Sequence, residues 1–236
     1  MGKPDSDFQN IYLSPHFDDI AFSLGAWVAA RPSGVLINLF TRSQYVVGAK
    51  AADRPTADEV SALRSAEDAA FARSHNLEKI ELGAKDTSVL GRSYNDLDGL
   101  AEDRAQIFTP LEATLERLAR HAQLQIFCPA AIGGHVNHLA TRGVAMDLLE
   151  RLPGVRICFY EDLPYAASRS ARRRGLLDLR RVTAGVRLRR RSWKAGTGKL
   201  LDINRYSSQH SQPVTDLRRF SPASVWPMGM HEAVWE

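Results

Sequence analysis

Five short apolar runs punctuate the chain: IYLS (11–14), VLINLF (35–40), KIEL (79–82), LQIFCP (124–129) and VRICFY (155–160). Runs this brief and this continuously apolar predict strands buried on both faces of a parallel sheet. Helical periodicity fills the gaps between them. IAFSLGAWVAARP (20–32) puts Ile20, Leu24, Trp27 and Val28 on one face and closes at Pro32. PTADE opens a second helix near Thr56 with an N-terminal capping signature, and the pattern runs to His75. A third helix is predicted over 109–121 and a fourth over 136–152, before the Pro-Gly turn at 153–154. Strand alternating with helix implies right-handed crossovers. The expected fold class is therefore α/β, a Rossmann-like open parallel sheet with helices on both faces. After Tyr160 the pattern loosens. The expected organisation is a single domain over 1–236, with an α/β core at 10–160 and a less regular C-terminal extension at 161–236.

Charge changes this picture in one place. The net charge of +4 hides a basic segment at 169–194, where ten Arg and one Lys face a single acid, Asp178. That segment carries +10 and the remaining residues carry −6. Two readings fit: a solvated basic face, or a flap beside the binding site that favours an anionic ligand. VTAGVRLRRRSW alternates in part, with Val186 and Leu188 on one side, as a solvent-facing hairpin strand would. The remaining composition, 44% hydrophobic and 25% charged, is that of an ordinary globular protein. No run approaches the ~18 apolar residues of a membrane span, and MGKPDSDFQN has no apolar signal core. Cys128 and Cys158 sit in apolar runs and read as small buried hydrophobes, which suits a reducing, cytoplasmic setting.

The candidate chemistry lies just after two of the strands. SPHFDD (14–19) follows the first, and GGHVNH (133–138) follows LQIFCP. Ligands of open α/β sheets bind outside the carboxyl ends of the strands, so parallel strands put both motifs on one edge. Each motif alone has a plainer reading, since Asp commonly caps a helix and paired His are often polar loop residues. Together they compose a two-His, one-carboxylate zinc site of catalytic type, with a fourth position open. Two His and two Asp leave one of each spare, available as a base for water and a donor to a developing oxyanion. No G-x-G-x-x-G follows the first strand, which excludes a dinucleotide fingerprint there.

The pattern strand–SPHFDD–helix followed by strand–GGHVNH–helix resembles the zinc-dependent de-N-acetylases of the PIG-L/LmbE-like superfamily. Their first motif is written (A/S)PHxDD or AHPDDE and their second HxDH. LRSAED (63–68), ELGAKD (81–86), FYEDLPYA (159–166) and KLLDINRYSSQ (199–209) resemble further stretches of the same family. The resemblance implies metal ligation by His16, Asp19 and His138. It implies Asp18 as general base and a protonated His135 as the group assisting the oxyanion and the leaving amine. Arg64, Asp86 and Gln209 match substrate-side positions. Zn²⁺ is the implied cofactor, with Fe²⁺ or another divalent transition metal able to use the same ligands. Departures stand out: Asn137 occupies the usual Asp position of HxDH, Ile20 replaces the Glu that follows the paired Asp in AHPDDE members, and Gly133 stands where some members carry a Tyr.

The implied activity is hydrolysis of the acetamide of an N-acetylated amino sugar, or of its conjugate, to a free amine and acetate. An amidase for another N-acyl conjugate is the alternative within the enzyme class. A binder of nucleic acid or anionic surfaces through 169–194 is the alternative outside it. Only Trp193 offers a stacking aromatic in that segment, and no nucleic-acid motif is present. The expected partner is a small N-acetylated amino sugar or conjugate, anionic if the basic segment is a flap. A homo-oligomer is compatible with the sequence.

Overall fold

The computed structural model describes residues 8–48, 55–210, 214, 217–223 and 229–236. The start of the stretch read as lacking an export signal, residues 1–7, lies outside them. Five strands form the parallel part of one sheet: β1 (Phe8–Ser14), β2 (Gly34–Asn38), β3 (Leu77–Glu81), β4 (Gln123–Pro129) and β5 (Val155–Tyr160). They are the five expected strands, with ends displaced by three residues at most. Their spatial order is β3-β2-β1-β4-β5, so the chain reverses direction across the sheet between β1 and β4. A crevice opens at such a reversal, at the carboxyl ends of the two strands.

Helices α1 (Asp19–Ala30), α2 (Ala57–Ser74), α3 (Leu100–Ala119) and α4 (Val136–Leu149) connect these strands and cover both faces. Thr56 caps α2 by a complete capping box with Glu59, as PTADE foretold. The third helix begins nine residues earlier than expected. A proline is best tolerated in the first turn of a helix, where its missing N–H costs nothing. Pro110 nevertheless sits inside α3, whose entry is a 3₁₀ turn at Leu97–Gly99 capped by Asp96. Buried Ile107, Leu111, Leu115 and Leu118 form one face of α3, and packing along that face carries the helix through the proline.

The chain beyond Tyr160 adds to the same sheet. α5 (Arg169–Val182) leads to β6 (Arg190–Lys194), and after α6 (Gly198–Asn204) comes β7 (His231–Trp235). β7 runs antiparallel to β5, and β6 antiparallel to β7, so the seven-stranded sheet is mixed with β6 at its open edge. Arginines and a lysine on that edge discourage pairing with another chain. The Arg-rich segment is thus a helix and an edge strand, not a hairpin flap. Val186 is exposed while Leu188 packs half-buried against the core, and both border one surface hollow with Leu176, Leu179 and Trp235.

Candidate active site

Both motifs arrive at the crevice between β1 and β4. β1 ends at Ser14, and the turn after it delivers His16, Asp18 and Asp19 at the start of α1. β4 ends at Pro129, and a Gly-rich turn delivers His135 and His138 at the start of α4. Gly133 is needed in that turn. Its φ is +100°, and a Cβ there would lie 2.6 Å from the Tyr165 ring.

His16, Asp19 and His138 each offer a ligand atom within 4.8 Å of the others. His138 Nε2 is buried without a hydrogen-bond partner, 3.4 Å from Asp19 Oδ1. Its other ring nitrogen, Nδ1, lies 2.7 Å from Asp162 Oδ1. A carboxylate on the far nitrogen is the arrangement that orients a metal-binding imidazole and raises its basicity. Burial lowers the His138 pKa, but Asp19 and Asp162 outweigh it and push it up to about 9. Burial likewise raises Asp19, yet His138 and His16 more than offset this and hold its carboxyl below the usual range. Two imidazoles and one carboxylate around an orphaned buried nitrogen fit a divalent transition metal.

Asp18 occupies the N-cap position of α1 but makes no side-chain cap bond. Its carboxylate is turned to Arg64 instead, with Nη2 donating to Oδ1 at 3.1 Å. Burial raises the Asp18 pKa although Arg64 opposes it. Arg64 is 3% exposed, donates to Ser43 Oγ, and lies 3.8 Å from Asp86. It therefore fixes Asp18, and it also lines the cavity beside it. Asp86 accepts from the backbone of Ser88 and Val89 and holds the loop after β3.

His135 differs from its expected charge state. Burial, then the neighbouring His16, His138 and Arg64, push its pKa far down. Its Nδ1 accepts the backbone N–H of Asn137 at 3.2 Å, which leaves Nε2 as the N–H. A neutral imidazole with one donor replaces the imidazolium.

His16, Asp18, Asp19, Arg64, Asp86 and His135 line a cavity of about 450 Å³ whose wall also includes Phe22, Tyr45, Tyr94, Tyr165, Gln209 and Arg219. Tyr45 and Tyr94 are half-exposed at its mouth. Gln209 reaches the cavity, with its amide donating to Ser208 Oγ at 2.7 Å. Among the described residues no part of 169–194 lines it, so the basic segment is not a wall of this site. Sequence reading missed the roles of Asp162 and Tyr165, which both lie in FYEDLPYA. A pair of acids, Glu161 and Asp162, directly after a buried strand on this sheet edge was the available signal.

No family model matches the chain. Its sequence is similar to a 2'-N-acetylparomamine deacetylase of Streptomyces fradiae, 34% identical over 171 residues. The match covers 69% of this chain and 60% of that relative, so the chain spans less than two thirds of the relative's length. Among solved structures, the A40926 pseudoaglycone deacetylase superposes with a TM-score of 0.68 at 22% identity, over 98% of this chain and 97% of that one. A zinc-inhibited form of a teicoplanin deacetylase superposes with a TM-score of 0.63 at 22% identity, over 85% and 84%. The chain shares its α/β fold with these deacetylases, and its sequence relative is a deacetylase as well.

Proposed function

We propose that the protein is a metal-dependent N-deacetylase that hydrolyses the acetamide of an N-acetylated amino sugar or its conjugate. The carrying observation is the His16–Asp19–His138 cluster with His16, Asp18, Asp19 and His135 lining the cavity. The name of the Streptomyces fradiae relative supports an amino-sugar substrate. Zn²⁺ is the first choice of ion for this ligand set, with Fe²⁺ or another divalent ion able to take the same place. Free, buried Cys128 and Cys158 agree with work in the cytoplasm. Among the described residues no helix is long and apolar enough to cross a membrane.

When bound, the ion would supply Lewis-acid activation of the scissile carbonyl and of the attacking water. Asp18, steadied by Arg64, takes the proton that the water loses on attack. Its buried carboxyl is more basic than an ordinary aspartate, which favours that transfer. His135 Nε2–H donates to the amide oxygen as negative charge develops on it. Asp18 then returns the proton to the departing nitrogen. The C–N bond breaks, and the products are acetate and a free amine. Tyr45 and Tyr94 at the mouth offer flat faces for sugar rings.

The test is a panel of N-acetylated amino sugars and aminoglycoside precursors, read by the amine and acetate released. Equimolar amine and acetate from at least one sugar is expected. Release from N-acyl amides lacking a sugar, with none from the sugar panel, would move the activity to another amidase class.

A further inference from the structure

Asn137 stands where the resembled motif carries an aspartate, and its surroundings show where that charge has gone. The residue is fully buried at the second position of α4. Its Oδ1 lies 3.0 Å from His16 Nε2. Its Nδ2 donates to Asp103 Oδ2 at 2.8 Å. Asp103 is also fully buried, and its Oδ1 accepts from Arg92 Nη2. Arg92 in turn lies against Gly99, where a Cβ would collide with its guanidinium. The row His16–Asn137–Asp103–Arg92 thus joins the turn after β1 to the first turn of α3. Nothing in either motif points to Asp103.

The row has a direction. An ionised carboxylate only accepts, so Asp103 requires the NH₂ side of the Asn137 amide. That turns Oδ1 to His16 and requires an N–H at His16 Nε2. The Nδ1 lone pair is then left on the side of Asp19, whose Oδ2 is 3.4 Å away. If the amide were reversed, its NH₂ would face Nε2 and favour the opposite tautomer, with a hydrogen on the ligating nitrogen. An amide carries no net charge and cannot settle this by itself.

We infer that Asp103 is a positioning residue for the metal centre: it orients the Asn137 amide, and so holds His16 in the tautomer that leaves Nδ1 free to ligate. The charge that the resembled motif keeps at 137 is here displaced to 103, with the asparagine as intermediary. Asn137 also serves the second histidine, because its backbone N–H donates to His135 Nδ1. This inference rests on the metal-dependent reading of the site.

The experiment measures metal dissociation constants by chelator competition in the parent, in Asp103→Asn, and in Asp103→Asn/Asn137→Asp. In the double variant the aspartate at 137 accepts from His16 directly, and the amide at 103 donates to it and accepts from Arg92. The single variant should lose roughly 10- to 100-fold in metal affinity, the usual loss for a residue supporting a ligand. The double variant should recover most of that loss. Side-chain ¹⁵N spectra of the metal-free protein give an independent reading: His16 should be the Nε2–H tautomer in the parent and mixed in the single variant. If Asp103→Asn does not fold, the double variant and the parent spectrum decide. Metal affinity of Asp103→Asn within twofold of the parent, a double variant that misfolds or binds no better than the single, or an Nδ1–H tautomer in the parent would each overturn the inference. Failure of the parent to bind metal would overturn the metal-dependent reading, while the tautomer spectra would still judge the row.

Discussion

Asp18 and Asp19 are neighbours in sequence and perform separate tasks, because the first turn of α1 aims them apart. Asp19 faces His138 and accepts the His16 backbone N–H at 2.7 Å, while Asp18 faces Arg64 and the cavity. Replacing each by asparagine should therefore give different phenotypes. Asp18→Asn is expected to keep its metal and lose roughly two to four orders of magnitude in turnover, the usual contribution of a positioned base. Asp19→Asn is expected to lose metal first. Elemental analysis beside steady-state kinetics reads both. Equal metal content in the two variants at equal loss of activity would contradict the division. This pair was legible in the sequence, because a doubled aspartate after a buried strand lies on a sheet edge where ligands bind. Asp103 was not legible, since an acid in the first turn of a helix is commonplace, and its partner is 34 residues away.

At the scale of elements, the parallel strands were readable because each is buried on both faces and so is apolar without interruption. β7 and the edge strand β6 were not. β6 reads RRSWK, a charged run at an open edge in which Arg191 and Lys194 are exposed and Arg190 pairs with buried Glu161, and the pairing that makes it a strand comes from β7, about 40 residues later. α5 was hidden by its arginines, whose helical spacing is clear only beside the few apolar residues it buries, such as Leu179. The turn between β4 and α4 gives a sharper test. Gly133 and Gly134 both have positive φ, but a Cβ at 133 would strike the Tyr165 ring, whereas nothing lies within 4 Å at 134. Gly134→Ala should cost the backbone strain alone, about 1 kcal/mol. Gly133→Ala should cost clearly more, because it also displaces Tyr165 from the cavity wall, and its activity should fall with its stability. Thermal melts and turnover of the two variants check this. A Gly133→Ala protein as stable as Gly134→Ala would show that the turn does not rest on Tyr165.

At the scale of the whole molecule, two expectations concern charge. The basic segment lies off the cavity, so Arg187, Arg189 and Arg191 together replaced by Gln should leave KM unchanged at low salt, for anionic and neutral substrates alike. A KM that rises only for the anionic substrate would restore the flap. The second expectation concerns stability. Asp68 is buried between Asn38, Tyr206 and Lys79, and burial outweighs these partners to raise its pKa to about 7. Between the ordinary carboxylate range and pH 7 the folded chain keeps a proton that the unfolded chain has lost. Stability contributed by that proton is present below this window and declines as pH rises through it. Asn38 Oδ1 has no partner and can turn to accept from an amide at 68, so Asp68→Asn should fold. Melting temperatures from pH 5 to 8 should fall more steeply in the parent than in Asp68→Asn. Parallel curves would remove Asp68 as the cause.

The central claim is that His16, Asp19 and His138 hold one metal ion on which amide hydrolysis depends. Metal-stripped protein titrated with Zn²⁺ or Fe²⁺, and assayed at each addition for amine released from an N-acetylated amino sugar, tests it most directly. Activity should start at background, rise linearly and level off near one ion per chain, and His138→Ala should stay flat at the same additions. Full activity before any metal is added, or an undiminished rise in His138→Ala, would contradict the account.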